Sequence, residues 1–305
     1  MGSACEAEPR MKKKPPVELL LFAAMLIWGV NFAVVKAALG QFQPHVFNAL
    51  RFIIASIILI IFALRRLPTL RLPWRDVALL FGLGLIHTAL YQILFIEGID
   101  LTSSSNAAVE LAATPATVAL ISYFLGREKH SAKTWGGIVV AFLGLYFVIA
   151  LGENRVTMDS PSLVGDLLVI AAMLLWAGYT ALAKPVIERF SNLTFTAWSI
   201  ALGTVPLLLW AVPEMVTQDW SVTTLAGWSG VVYSGVFAIA VSYIIWNHAV
   251  VRVGPTRTAI FSNFIPVIAV MTGVFFLGET MSALQITGVA MVLAGVAFAR
   301  ADTRR

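Results

Sequence analysis

Four polar residues lie inside long apolar stretches of this chain, where their side chains could bind a polar ligand or move a proton. They are Asn31, Arg51, His87 and Glu110. An ionisable side chain in hydrocarbon is costly unless it is paired or hydrated, so its presence there indicates a function. Glu110 is the strongest candidate, because Asn106 and Thr114 lie four residues to either side of it on one helical stripe.

These four residues are predicted to lie at similar depths. At about 1.5 Å per helical residue, Glu110 lies about 12 Å from one end of its apolar stretch, and the other three lie about 10 Å from the same face. Similar depth predicts a shared cavity. Two alternatives stay open: Arg51 and Glu110 form a purely architectural charge pair, and His87 is packed and hydrogen-bonded across helices rather than taking up a proton with a nearby carboxylate.

Aromatic rings accompany these polar groups well inside the apolar stretches. The combinations on one helical face are Trp28 with Asn31, His87 with Tyr91, Trp176 with Tyr179, and Tyr243 with Asn247. A cavity lined by rings and a few amides suits an amphipathic solute of amino-acid size, aromatic amino acids included. For any single ring, the alternative that it only fills a contact between helices stays open.

Composition places these residues in a membrane protein. Of 305 residues, 59% are hydrophobic and 12% charged, with a mean hydropathy of +0.86, whereas soluble domains are about 45–50% apolar and about 25% charged. The net charge of +5 is explained by the lipid bilayer, so no nucleic-acid partner is expected. The single cysteine, Cys5, has no partner in the chain, and neither a disulfide nor a metal or other cofactor is predicted.

The hydropathy pattern predicts an all-α membrane protein with ten transmembrane helices, since each crossing needs about 20 apolar residues. The predicted spans are 17–38, 44–64, 74–96, 102–125, 134–151, 163–184, 193–213, 223–247, 256–277 and 281–299. Most of the 21 Lys and Arg residues fall in the N-terminal segment, in alternate connections and in the C-terminal tail. Because positively charged segments stay in the cytoplasm, both termini are predicted to be cytoplasmic.

An internal repeat divides the spans into two halves. The segment LIWGVNFAVVK at 26–36 matches LLWAGYTALAK at 174–184, and Glu128 corresponds to Glu279. At nearly the same spacing, Pro115, Gly137 and Gly144 correspond to Pro266, Gly288 and Gly295. Five crossings per half give the second half the opposite orientation, so the pattern predicts two inverted repeats. The domains are a disordered leader at 1–16, repeats at 17–151 and 163–300, and a tail at 301–305.

The repeat-related prolines and glycines have predicted structural roles. Pro115 and Pro266 lie inside the fourth and ninth spans, where proline removes a backbone hydrogen bond and could provide a hinge. Glycines in the fifth and tenth spans allow close helix packing. A homodimer contact through the Gly-rich fifth or tenth helix is a second predicted role for these glycines.

The combined motifs resemble the EamA family of the drug/metabolite transporter superfamily. They are WGVNFAVVK, NALRFIIA, the LGE-type ends of spans four and nine, SYIIWNHAVVRVGPTRTAIF, Pro266 and a Gly-rich last span. The resemblance implies a transporter in the bacterial inner membrane, commonly an exporter of amino acids or related small molecules. Glu110, in LTSSSNAAVELAATP, is not part of this signature.

Other function classes are disfavoured by missing motifs. The chain contains no HExxH, no GxSxG and no phosphate-binding loop, so neither an enzyme nor an ATP-driven pump is predicted. A channel is less favoured, because channels usually assemble subunits around a polar pore. We therefore expect an alternating-access secondary transporter that exports amino acids or related amphipathic metabolites. A carrier of drugs, sugars, nucleosides or lipid precursors is the alternative.

Overall fold

The computed structural model describes residues 16–66, 72–124, 131–150, 161–278 and 280–300. Most of the predicted leader, Glu128, Glu279 and the tail at 301–305 lie outside these residues. Regular secondary structure in the described ranges is entirely helical. The α-helices are α1 Val17–Ala38, α2 Pro44–Arg66, α3 Trp74–Gly84, α4 Tyr91–Leu101, α5 Ser104–Leu111, α6 Thr114–Phe124, α7 Ala132–Ala150, α8 Pro161–Leu182, α9 Lys184–Phe190, α10 Asn192–Thr217, α11 Leu225–Tyr233, α12 Ser242–Val253, α13 Pro255–Ile260, α14 Phe264–Leu277 and α15 Ala283–Arg300.

Seven continuous helical stretches in these residues are long and apolar enough to cross a membrane. They are Val17–Ala38, Pro44–Arg66, Trp74–Leu101, Pro161–Leu182, Asn192–Thr217, Leu225–Val253 and Pro255–Leu277. The other three predicted spans coincide with shorter apolar helices at Asn106–Ile121, Trp135–Gly144 and Ala283–Gly295. The chain is therefore a helical, multi-pass membrane protein.

Several of the long stretches are interrupted by a different helical geometry. Leu85–Leu90, between α3 and α4, and Ser234–Val241, between α11 and α12, are π-helical, and Phe261–Asn263 forms a 3-10 turn before α14. A π-helical turn inside an α-helix often marks a functional site. The second segment contributes Ala238 and Ile239 to the wall of the cavity described below, and the first ends one residue before Tyr91, which also lines it.

The predicted fourth span is two helices rather than one. Helix α5 ends at Leu111, and α6 begins at Thr114 with Pro115 as its second residue. Pro266 is likewise the third residue of α14, directly after the 3-10 turn. The first backbone N–H groups of a helix have no intrahelical acceptor, so proline is tolerated there without losing a hydrogen bond. Both prolines thus follow a break in the helix instead of kinking a continuous one.

Helices α7 and α15 pack against each other through their glycines. A Cβ atom at Gly144 would lie 2.6 Å from the backbone N of Val292, and one at Gly295 would lie 2.6 Å from the carbonyl oxygen of Gly137. The backbones approach this closely only because neither residue has a side chain. These glycines are used within one chain, while Gly136 faces open space among the described residues. A homodimer contact stays a prediction.

The bundle has two ends, and we name one of them the Lys36 end. Helix α1 finishes there, and Lys36 donates hydrogen bonds of 2.7–2.8 Å to the carbonyl oxygens of Ile99, Asp100 and Thr102. These carbonyls close the last turn of α4, where a cation is favourable. Lys36 therefore fastens α1 to α4, whereas simple snorkelling to the membrane surface would leave it unattached.

Candidate functional site

A cavity lies in the middle of the bundle, between elements from both halves of the chain. Its volume is about 70 Å³. On the same measure one water molecule needs about 10–15 Å³, so the cavity has room for several waters. The lining combines rings, aliphatic groups and a few polar side chains. These are Trp28, Asn31, Phe32, Arg51, Tyr91, Gln92, Phe95, Leu111, Thr114, Trp176, Ala238, Ile239, Tyr243, Trp246, Ser262 and Ile265.

Arg51 is the charged group of the cavity wall, and it is 1% exposed. One turn earlier on α2, Asn48 accepts hydrogen bonds from Nε and Nη2 of Arg51 at 2.9 and 2.7 Å. On α4, Gln92 Oε1 accepts a second hydrogen bond from Nη2 at 2.7 Å. The guanidinium carbon lies 5.3 Å from the centroid of Phe47. Two amides and a ring thus hold the guanidinium in one orientation.

No acidic side chain of the described residues forms an ion pair with Arg51. The charge pair with Glu110, which the sequence left open, is not formed. Nη1 has no hydrogen-bond partner among the described residues. A guanidinium binds carboxylates through two parallel hydrogen bonds, so Arg51 offers unused donor capacity to an anion that enters the cavity.

Four rings form the aromatic wall of the cavity: Trp28, Trp176, Tyr243 and Trp246. The Trp28 centroid lies 5.8 Å from Trp176 and 5.3 Å from Trp246, and Trp176 lies 5.3 Å from Tyr243. Trp28 Nε1 donates a 2.7 Å hydrogen bond to the carbonyl oxygen of Ala238 in the π-helical segment. Because these edge-to-face and tilted contacts fix the rings relative to one another, the rings present a preformed apolar surface.

Asn31 and Tyr91 complete the part of the wall that sequence analysis selected. Asn31 Oδ1 accepts a hydrogen bond from the hydroxyl of Ser234, at the start of the second π-helical segment. Tyr91 packs on Trp176 with centroids 5.3 Å apart. The structure therefore brings Trp28, Asn31, Arg51, Tyr91, Trp176 and Tyr243 to one cavity.

Three further predicted residues form a layer outside the cavity wall. The His87 ring lies 4.3 Å from the Tyr179 ring, centroid to centroid, and Tyr179 donates a 2.7 Å hydrogen bond to Oδ1 of Asn247. Asn247 in turn donates to Thr196 on α10 at 2.9 Å. His87 Nδ1 lies 3.2 Å from the Thr88 hydroxyl, while Nε2 has no partner among the described residues. This placement favours packing for His87, Tyr179 and Asn247.

Glu110 also lies outside the lining, although its neighbour Leu111 belongs to it. Its side chain is 0% exposed and lies within hydrogen-bonding reach of Asp166 on α8. Asp166 is 1% exposed and accepts a 2.6 Å hydrogen bond from the Thr102 hydroxyl. Of the four polar residues predicted at one depth, only Asn31 and Arg51 share the cavity.

Sequence analysis missed Gln92, Asn48 and Asp166. Gln92 and Asn48 are neutral amides, and neither stands one helical turn after a Trp or Tyr, the pattern that singled out Asn31 and Asn247. Asp166 is the fourth residue of its predicted span, where a polar side chain is expected near the membrane surface. The recurrence of an amide one turn from Arg51 was a usable signal for Asn48.

The described residues contain no group of three or more His, Cys, Asp or Glu side chains that could hold a metal ion. What the site offers is a buried cation, amide groups and aromatic rings around a small cavity. This arrangement is suited to binding a small amphipathic anion or zwitterion, and it contains no nucleophile activated by a neighbouring base.

Comparison with known proteins gives consistent matches along almost the whole chain. The uncharacterized transporter YetK of Bacillus subtilis is 28% identical over 94% of this chain and 87% of its own length. The probable amino-acid metabolite efflux pump of Salmonella typhimurium is 25% identical over 91% of this chain and 92% of its own. A crystal structure shares the fold with a TM-score of 0.70 and 19% identity, covering 95% of this chain and 98% of that one.

Comparison with a family model also covers almost the whole chain. The model of the EamA-like transporter family matches residues 15–150 and again residues 163–301, which together include every residue of the cavity wall. The chain belongs to the EamA-like transporter family.

Proposed function

We propose that this protein is a secondary transporter that works by alternating access and carries amino acids or related amphipathic carboxylates, aromatic ones included. The observation that carries the proposal is Arg51, a buried cation in the wall of a ring-lined cavity that pairs with no acidic side chain of the described residues. A solute carboxylate would supply the missing counter-charge, and the rings would bind its apolar part. The printed name of the Salmonella relative, an amino-acid metabolite efflux pump, supports the same class.

The proposed architecture is ten transmembrane helices in two inverted repeats of five, at 17–151 and 163–300. The double family match supports it, and so do matched contacts between the halves. Gly84, before the first π-helical segment, packs on Ser199 of α10, while Gly235, in the second, packs on Arg51 of α2. Two halves of similar structure can exchange roles, which provides inward-open and outward-open states of similar energy.

The size of the cavity favours such an exchange. Sites for small molecules commonly have volumes of about 300–1,000 Å³, whereas this cavity has about 70 Å³. An amino-acid-sized solute therefore requires the walls to separate. Helix breaks next to Pro115 and Pro266, on the two halves, are the proposed hinges.

The proposed orientation places both termini in the cytoplasm and the Lys36 end outside, in the inner membrane of a bacterium. Arg65 and Arg66 at the end of α2, and Arg189 and Arg252 at the ends of α9 and α12, lie at the opposite, cytoplasmic end. This distribution follows the preference of positive charge for the cytoplasmic side.

Counterflow in proteoliposomes tests the proposal. Vesicles containing the purified full-length protein are loaded with an amino acid, with its uncharged carboxamide derivative, or with an amine, a sugar or a nucleoside, and uptake of the labelled solute is recorded. We expect saturable exchange of amino acids and at least tenfold weaker exchange of the carboxamides. Exchange confined to drugs, sugars or nucleosides would favour the second class of substrate, and flux that does not saturate would indicate a channel.

A further inference from the structure

Two buried carboxyl groups face each other where α5 packs on α8. Glu110 and Asp166 are 0% and 1% exposed, and their side chains lie within hydrogen-bonding reach of each other. Thr102 donates to Oδ1 of Asp166. Oε1 and Oε2 of Glu110 and Oδ2 of Asp166 receive no hydrogen bond from any donor of the described residues. We call these two residues the carboxyl pair.

The local fold places the carboxyl pair by close backbone contact. A Cβ atom at Gly165 would lie 2.9 Å from the carbonyl oxygen of Gly98, so α8 and α4 touch through two glycines. This contact brings the next residue, Asp166, to Thr102 at the end of α4. Ser103 then caps α5 by accepting a hydrogen bond from the backbone N–H of Asn106, and α5 carries Glu110 to the other side of Asp166.

No cationic side chain of the described residues forms a hydrogen bond or an ion pair with either carboxyl group. At this end of the bundle, Lys36 uses Nζ to bind three carbonyl oxygens of α4 and the Asp100 side chain is exposed, while Glu97 binds His45 at 2.8 Å. The other charged or titratable side chains on α8 itself or on elements packed against α5 or α8 are Glu18, His87, Tyr91, Tyr123, Lys133, Tyr146, Tyr179, Lys184, Glu188, Arg189 and Arg257. No ion pair or hydrogen bond joins any of them to the pair.

Two adjacent carboxylates without a donor or a cation repel each other, and burial strengthens the repulsion. One proton removes the conflict, because a carboxylic acid donates an O–H to the facing carboxylate. Such a bond satisfies one oxygen on each side and leaves a single negative charge. The geometry therefore requires a proton that the protein's own donors do not replace.

The pair is directly connected to the cavity wall. Leu111, the residue after Glu110, lines the cavity, and so does Thr114 after the break at Ala112–Ala113. Glu110 belongs to the first half of the chain and Asp166 to the second. A movement that separates the halves to admit a solute therefore pulls the carboxyl pair apart.

We propose that Glu110 and Asp166 form a proton-binding site that holds one shared proton in the closed state and exchanges it with water when the halves separate. Opening exposes both groups; the carboxylic acid transfers its proton to water, forming hydronium and a second carboxylate. Closing requires that one carboxylate first takes a proton from hydronium. One proton is thus bound in each closing and released in each opening, so outward and return passages carry equal numbers of protons, and the rate of exchange depends on pH. This pH dependence rests on the transport function proposed above.

Infrared spectroscopy tests the shared proton without any substrate. The carbonyl stretch of a protonated carboxyl group is recorded at neutral pH on the purified full-length protein. We expect this band in the wild type and its loss in Glu110→Gln and in Asp166→Asn. Each amide can donate a hydrogen bond to the remaining carboxylate, so both variants keep a satisfied contact. Asp219→Asn is the matched control, since Asp219 is an exposed carboxylate outside the helices, and it should retain the band.

Absence of the band from the wild type, or its persistence in both variants, would overturn the shared proton. Thermal unfolding in detergent shows which variants are folded. If both fail to fold, raising the pH of the wild type decides the question: a buried shared proton should resist removal, and a band that disappears like that of exposed carboxyls would contradict it.

The pH dependence of exchange tests the role of the proton in closure. Amino-acid counterflow is recorded in proteoliposomes with the same pH on both sides, from neutral to alkaline pH. We expect exchange by the wild type and Asp219→Asn to slow at least tenfold as the pH rises, and exchange by Glu110→Gln and Asp166→Asn to change less than twofold, because an amide replaces the shared proton. Wild-type exchange that does not depend on pH would disprove this role and leave the transporter intact. Failure of exchange with every solute would instead disprove the transport function, while the infrared result still decides the proton site.

Discussion

The cavity wall and the carboxyl pair contain buried charges of opposite sign, and neither region neutralises the other. Arg51 is held by the amide oxygens of Asn48 and Gln92, and Glu110 faces a second acid. If these charges served only to join helices, an ion pair between Arg51 and Glu110 would be the economical arrangement, because unpaired buried charges are costly. Their separation indicates that each region leaves a place for a partner from outside: an anion at Arg51 and a proton at the carboxyl pair.

The largest expected effect comes from removing the buried cation. Arg51→Gln retains hydrogen-bonding capacity towards Asn48 but removes the charge. Hydrogen bonds to a charged group contribute about 1.5–3 kcal/mol, so we expect the half-saturation concentration for amino acids to rise about 10- to 100-fold. Counterflow with an amino acid and its carboxamide measures this change. An equal loss for both solutes would show that Arg51 does not bind the carboxylate.

A carboxylate built into the protein beside Arg51 should occupy the place that the cavity wall leaves for an anion from outside. Gln92→Glu is nearly isosteric and places a carboxylate where Gln92 Oε1 already accepts from Nη2 at 2.7 Å. Because this carboxylate competes with that of the solute, we expect about a tenfold rise in the half-saturation concentration for amino acids. Gln43→Glu introduces the same charge outside the cavity and serves as the control. Unchanged transport by Gln92→Glu would contradict an anion site at Arg51.

Two close backbone contacts, at Gly235 and at Gly165, position Arg51 and the carboxyl pair independently. A Cβ atom at Gly235 would lie 2.7 Å from the carbonyl oxygen of Arg51. One at Gly165, the residue before Asp166, would lie 2.9 Å from the carbonyl oxygen of Gly98, one turn before Thr102. Overpacking of this kind commonly costs about 1–3 kcal/mol. We expect Gly235→Ala to weaken substrate affinity several-fold and Gly165→Ala to change mainly the pH dependence of exchange.

The control for both glycine variants is Gly178→Ala, where a Cβ atom would meet no described atom within 4 Å. Counterflow affinity and the pH dependence of exchange are measured on all three variants. Identical losses of both quantities in Gly235→Ala and Gly165→Ala would show that the two regions are not mechanically separate. Loss in Gly178→Ala would show a general effect of alanine on the helices.

Sequence analysis predicted the helices more completely than the site. The bounds of α1 match the predicted span 17–38 because hydropathy alone determines where a helix enters hydrocarbon. The break before Pro115 was not predicted, since alanine-rich sequence continues through Ala112 and Ala113. Depth arithmetic grouped Glu110 with Arg51 but contains no information about which way each side chain points. The facing of Glu110 and Asp166 depends on the contact between Gly98 and Gly165, which is visible only in three dimensions.

The smallest effect is expected in the layer behind the cavity, and it separates packing from binding. Tyr179→Phe removes the 2.7 Å hydrogen bond to Asn247 but keeps the ring that stacks on His87. Loss of one such bond costs about 1 kcal/mol of unfolding free energy, measurable by thermal unfolding in detergent. Because neither side chain reaches the cavity, we expect transport affinity to change by less than about twofold. A tenfold loss of affinity with unchanged stability would instead place Tyr179, and with it His87, in the binding site. The cavity of the substrate-bound state would then be larger than the one described here.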